Sequence, residues 1–477
     1  MIHNSLFSKL HRLFFYLLIL LLPTQLGLHF WPDWALVLGR RIDYLSPTLY
    51  VTDILIVFML ISWGADWISG ITNHESRIMN KPKRFSSFWE TIIHNSCLPA
   101  GTAFFIILTV LACINIVNAA SVPVAIYHWM KVLEFALLGV YIMRTKPDVF
   151  LITRLLSVAV LYSSVLAVWQ FILQHSVGGI FWWLGERVFT TVSPGIAQTP
   201  LCFPMFRGCP LVLRSYATFP HPNVLGGFLA VTLPLIINLQ ISKSTNLRMN
   251  ETVFIFFKWI AIGLGITALV LTFSRSAWIV GFLGMFMVHR SWFMEKRKNK
   301  TVSFMTAIVF ILLAFAVIFY SLFVIHNSYE ESVVVRLALN ESALSMWKQY
   351  SLLGVGLGNF LVVLPSVLPS RIIYFLQPVH NIYLLLLSEI GVIGICLFLL
   401  LGVYFVKHEL RIMNYGKTKE RHVLFSIIHY SCLPAGRALF AILLLGFVDH
   451  YPLSLQQGRL FFTLLISLNL VPQFRYK

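Results

Sequence analysis

Negative charge is scarce in this chain. Its 477 residues include 18 Asp and Glu against 36 Lys and Arg; only 11% are charged, whereas 58% are hydrophobic. A water-soluble globule of this length could not cover itself with so little polar surface. The expectation is an all-α polytopic membrane protein. Cysteine is sparser still: the six, at 97, 113, 202, 209, 396 and 432, form no CxxC pair and no Cys/His cluster at metal spacing. Cys202 and Cys209 share one segment and could form a disulfide, two unpaired thiols being the simpler alternative. With no GxxxxGK[ST] loop, the chain cannot draw on ATP through a P-loop. With no HExxH and no acidic pair at divalent-cation spacing, metal-assisted chemistry has no sequence support. The expected site uses no metal and no cofactor.

Long apolar runs are what the chain has in abundance. Runs of roughly 17–25 residues fall near 13–29, 50–69, 97–118, 122–143, 155–173, 223–240, 253–273, 276–289, 302–325, 381–406, 424–447 and 456–473, giving about twelve transmembrane helices, the eighth short. With the N-terminus inside, 23 of the 36 basic residues collect in short inside segments, among them Lys81, Lys83 and Arg84 and the run Lys296 to Lys300. The positive-inside rule therefore places both termini in the cytoplasm. The net charge of +18 is then mostly topological and gives no support to nucleic-acid binding. The first run lacks a small-residue cleavage site and reads as a span, not a cleavable signal peptide.

This orientation leaves three long outside segments. Residues 30–49 carry Phe30, Trp31 and Trp34 ahead of Arg40 and Arg41, an interfacial aromatic and basic pattern. Residues 174–222 follow the fifth span. Residues 326–380 are the largest and are expected to form a small helical cap, in which Ser345-Met346-Trp347 lies on a helix and Gly354 to Gly358 make a glycine-rich turn. In domain terms, 1–325 hold spans one to nine, 326–380 the large outside loop and 381–477 the last three spans.

Outward basic residues run against the charge bias, so they single themselves out. Arg214 precedes Ser215-Tyr216-Ala217-Thr218-Phe219-Pro220-His221-Pro222-Asn223, Arg275 sits in Ser274-Arg275-Ser276, and Arg336 opens the large loop. A guanidinium stays charged and can grip phosphate in bidentate fashion, so several in one cavity would suit a pyrophosphate; an interfacial anchor is the alternative for each alone. His380, in Pro378-Val379-His380-Asn381-Ile382, stands at the mouth of the tenth span, where an imidazole can take a proton near neutral pH, although helix capping would also explain it. His221 and His450 face the same side as weaker candidates. Asp449, in Asp449-His450-Tyr451 ahead of Gln456-Gln457-Gly458-Arg459, could orient a histidine or an arginine, or merely pair within its turn. Glu389 lies nine residues into the tenth span, where an ionisable group is costly unless paired or facing a cavity. Lys131 and Glu134 are most simply a pair within span four.

At these residues the chain resembles the O-antigen ligase and polymerase family of bacterial envelope glycosyltransferases. The likeness rests on Arg214 with Tyr216 to Asn223, Ser274-Arg275-Ser276, Arg336 with Gly354 to Phe360, His380 to Gly394, and Asp449 to Arg459. It spans roughly 210–460; the first five spans share only hydropathy. The resemblance implies metal-independent transfer of a glycan from undecaprenyl pyrophosphate to a lipid A-core or glycan acceptor, at the periplasmic face of the bacterial inner membrane. His380 would be the base, and Arg214 with Arg336 or Arg275 would hold the pyrophosphate. The partners it implies are the lipid-linked donor, the acceptor and membrane lipids, and the ligase is favoured over the polymerase.

A lipid-linked glycan transporter could use the same arginines without chemistry, but no inverted or parallel repeat is visible. The one repeat, 92–101 recurring at 427–436 with a single difference, is too short to be an architecture.

Overall fold

The computed structural model describes residues 6–78, 99–201, 210–238, 251–295, 330–368, 376–413 and 434–470. Among these, five stretches of helix are long and apolar enough to cross a bilayer: Val51–Ser69, Val122–Thr145, Val149–Leu173, Val253–Leu271 and Ile382–Leu400. Four shorter apolar helical stretches accompany them, Ile106–Val117, Pro222–Ile237, Arg275–Val288 and Gly436–Leu445. The ninth expected span, 302–325, and the pair Cys202 and Cys209 lie outside the described residues; Cys113 and Cys396 are free and exposed. The first helix runs Leu6–Leu20, seven residues earlier than the apolar run suggests. The run overshoots because Pro23 removes a backbone donor and Gly27–His29 instead pair as a strand with Thr48–Tyr50.

The two copies of the short repeat share one structural property. Each places its proline, Pro99 or Pro434, at the first position of a helix. There the missing N–H costs nothing and the fixed φ favours the turn.

Helices pack into one apolar body whose buried core includes Phe15, Leu18, Leu156, Val160, Leu229, Ile262, Ile442 and Leu464. A second core is built mainly from residues 35–45 and 335–379. Val37, Ile42 and Leu45 from the first loop pack with Val335, Leu339 and Met346 of helix Glu330–Gln349, with Phe360 and Leu364 of helix Phe360–Val367, and with Val379. The expected helical cap is therefore joined by 30–49, which fold into two short hairpins and do not simply lie along the interface. Each large apolar side chain buried in this way contributes roughly 1.5–3 kcal/mol.

The glycine-rich turn locks the cap to the membrane body. Helix Ile382–Met413 is kinked at Gly391, whose φ is +64°. The carbonyls of Ser388 and Glu389 then accept from the N–H groups of Val355 and Gly356 at 2.9 and 3.0 Å. Gly354, at φ +70°, approaches so closely that a Cβ there would lie 2.3 Å from the Glu389 backbone carbon. Only glycine fits this crossing.

Candidate active site

Loop 214–223 is held from below by one buried amide. Gln170, on helix Val149–Leu173, accepts from the N–H groups of Tyr216 and Ala217 at 3.1 and 2.8 Å, and donates to Glu186 and to the Ala217 carbonyl at 2.8 and 3.0 Å. The short hairpin of Gln198–Pro200 with Leu211–Leu213 leads directly into Arg214, whose Nε donates to the Thr272 carbonyl at 2.7 Å and whose Nη2 donates to Asn223 Oδ1 at 2.7 Å. The guanidinium is thus aimed before any ligand arrives. Burial, with Arg275 and Arg336 nearby, lowers its pKa to about 10, so it stays charged at neutral pH.

His380 is placed by the residue that follows it. Asn381 caps helix Ile382–Met413 by accepting from the N–H groups of Tyr383 and Leu384 at 2.9 and 3.1 Å. Its amide donates to the Phe447 carbonyl at 3.2 Å, and the Ile382 N–H donates to the Gly446 carbonyl at 2.8 Å. These bonds carry the 446–450 turn to the histidine. His380 Nδ1 lies 3.9 Å from Asp449 Oδ1, an electrostatic contact too long for a hydrogen bond. The His380 ring stacks on His450 with centroids 5.2 Å apart, and His450 Nδ1 meets Ser454 Oγ at 2.5 Å.

Asn223 closes the circuit. Its Nδ2 donates to Asp449 Oδ2 at 3.2 Å, so Arg214, Asn223, Asp449 and His380 form one continuous polar chain. Burial would raise the Asp449 carboxyl, but the His380 side chain that it faces outweighs this and holds the group well below the usual carboxylate range. Burial and the Arg214 charge push His221 down to about 3, and burial pushes His450 to about the same value against the raising effect of Asp449. His221 Nδ1 accepts from the Asn223 N–H at 3.1 Å, so its proton sits on Nε2.

One cavity of about 1060 Å³ gathers these groups: Arg214, His221, Arg336, His380, Asp449 and His450 all line it. Two candidates from the sequence are not in its wall. Arg275 is exposed at the start of helix Arg275–Glu295; it is near enough to act on Arg214 through space. Glu389 is buried and accepts from the Phe360 N–H at 3.3 Å, so the cost of its burial is offset by backbone donors at the glycine-rich turn. Between Arg275 and Arg336 as the second arginine, the cavity contains Arg336.

Sequence reasoning passed over several wall residues: Tyr44, Tyr50, His128 and Arg187, with Asn223 and Arg459 quoted only as parts of motifs. For Arg187 and Arg459 the signal was available, since Arg187 falls in a segment that the charge bias assigns to the outside and Arg459 at the mouth of the last expected span. Lys131 does pair with Glu134, at 3.0 Å, but more closely with Asp53, at 2.5 Å.

His380, Asp449 and His450 offer ligand atoms within 4.8 Å of one another, a spacing a divalent cation could bridge. Arg214 and Arg336 already charge that wall positively, and a second cation there meets their repulsion. The arrangement favours an anion beside a base.

Residues 260–399 match the family model described as O-antigen ligase. The match takes in Arg275, Arg336, His380 and Glu389; Arg214, His221, Asp449 and His450 lie outside it. Over these residues it supports the family resemblance read from the sequence. No curated protein matches the chain.

Proposed function

We propose that this protein transfers a glycan from a polyprenyl pyrophosphate, undecaprenyl pyrophosphate in a bacterial inner membrane, to an acceptor hydroxyl on its periplasmic side. The matched family implies an O-antigen ligase-like glycosyltransferase. The observation that carries the reading is the convergence of His380, Asp449, Arg214 and Arg336 on one cavity, four residues from segments that the charge bias assigns to the outside.

In this reading Asp449 faces His380 Nδ1, which favours the proton there electrostatically and leaves Nε2 for the acceptor hydroxyl. As the acceptor oxygen bonds to the anomeric carbon, its proton passes to Nε2 and the bond from that carbon to the pyrophosphate oxygen breaks. The leaving lipid pyrophosphate takes the electron pair, and Arg214 and Arg336 neutralise the charge that develops. Pyrophosphate is already a good leaving group, so positioning and neutralisation carry most of the rate. A lipid A-core acceptor is favoured over a second lipid-linked glycan on the strength of the large loop before His380 and the 449–459 ending.

The test is transfer by purified protein with lipid-linked donor, each acceptor class and a chelator. His380→Ala should lower turnover about 10²–10⁴-fold with donor binding intact, and the chelator should change nothing. Near-normal turnover by the variant would remove the base assignment, and transfer confined to a lipid-linked acceptor would replace ligase by polymerase.

A further inference from the structure

The arginine and histidine wall accounts for only part of the cavity. Another part of its lining comes from Tyr50, His128, Gln456 and Arg459, and here the polar groups are left in surplus. Arg459 donates from Nε to the Leu453 carbonyl at 2.5 Å, and its Nη2 meets His128 Nδ1 at 3.1 Å. That ring nitrogen can only accept from a guanidinium, so His128 is neutral and brings no countercharge. Among the described residues no carboxylate lies within ion-pair distance of Arg459. The nearby acids are committed elsewhere: Asp53 to Lys131, Gln456 and the Tyr50 N–H, and Glu389 to the Phe360 N–H. Gln456 is 3% exposed, with Nε2 donating to Thr52 Oγ1 at 3.0 Å and to Asp53 Oδ1, and its Oε1 has no partner. A half-buried guanidinium without a countercharge calls for an anion, and a buried amide oxygen without a donor calls for an N–H or O–H.

We infer that this second wall is the acceptor subsite and that it reads a sugar bearing an anionic substituent, a phosphate or a uronic carboxylate, next to a hydroxyl. Arg459 takes the anion and Gln456 Oε1 accepts from the hydroxyl. The inference rests on the transfer reading above and adds which acceptors it selects. It also gives a role to three of the four arginines that line the cavity: Arg214 and Arg336 serve the donor, and Arg459 serves the acceptor.

The experiment uses the full-length protein in detergent, with lipid A-core lipopolysaccharide lacking the polymer as acceptor. It is supplied intact, dephosphorylated, or with its carboxyls reduced. One of the two treatments should raise the acceptor KM of the unaltered protein about tenfold and so identify the anion. Arg459→Gln should raise KM for the intact acceptor by a similar factor, gain nothing from the treated one and leave the donor KM unchanged; Arg459→Lys should restore part of the loss. A raised donor KM would assign Arg459 to the pyrophosphate and overturn the inference, as would equal KM values for all three acceptors. Equilibrium binding of the intact acceptor to His380→Ala protein, without donor, separates the two proposals. Arg459-dependent binding without any transfer by the unaltered protein would sink the transferase reading and keep the subsite; transfer with Arg459-independent binding would do the reverse.

Discussion

Asn223 bridges Arg214 and Asp449, and its removal tests whether the two halves of the site work as one. Its side chain accepts from Arg214 at 2.7 Å and donates to Asp449 at 3.2 Å, so Asn223→Ala deletes two hydrogen bonds to charged groups. Such bonds are each worth about 1.5–3 kcal/mol. Thr272 still holds one edge of Arg214 and the His450 N–H still donates to Asp449 at 2.9 Å, so the loss should fall near the lower end for each. A combined cost of about 3 kcal/mol corresponds to roughly 10²-fold in kcat/KM. Asp449 also loses a donor that favours its ionised form, so the acid limb of the pH profile should move upward. The assay is steady-state transfer over a pH series for Asn223→Ala, Arg214→Ala and the double variant. If the bridge acts through Arg214, the second substitution should cost far less than it does alone. Activity within about threefold of the unaltered protein, or strict additivity with Arg214→Ala, would refute the coupling.

Two further outcomes follow from the geometry. Because Arg336 lines the cavity and Arg275 does not, Arg336→Ala should reduce kcat/KM for the donor by about 10²-fold and Arg275→Ala by less than about fivefold; comparable losses would return Arg275 to the pyrophosphate. His221 and His450 are held neutral, each near pKa 3, whereas an unfolded chain protonates them near 6.5. The unfolded state therefore binds more protons below pH 6.5, and stability falls as pH drops through that value. From pH 7 to 5.5 the loss is roughly 1 kcal/mol per imidazole. Asp449 is depressed instead, so its contribution is complete above the unfolded carboxylate value and is constant in this window. The thermal midpoint in detergent should decline over that range, with a shallower slope in His450→Gln; a flat midpoint would contradict the buried, neutral assignment.

What the sequence disclosed about the site follows from what charge costs near a membrane. Arg214, Arg336 and His380 stand out because a basic group outside opposes the orientation bias, and a polar group at the mouth of an apolar helix needs a reason. The same logic selects Arg275 and Glu389 with equal force, yet one is exposed beside the cavity and the other caps a turn in the cap. A charge in an apolar context reveals that a partner is required, and the partner can be a substrate, a carboxylate or a row of backbone N–H groups. Glu389 took the last of these because Gly354 and the kink at Gly391 bring the turn against its helix, an approach that depends on positive φ and not on hydropathy. Asn223 was not singled out for a different reason: it is neutral and its carboxylate partner is 226 residues away. Apolar patterning locates most of the helices because each is a local solution to burying backbone in lipid. It misplaces the end of the first helix, where Pro23 and a strand pairing 21 residues on decide the matter. The catalytic proposal therefore stands less on the residues that the sequence made conspicuous than on Gln170, Asn223 and Asn381, uncharged amides that fix the loop, bridge the charges and bring His380 to Asp449.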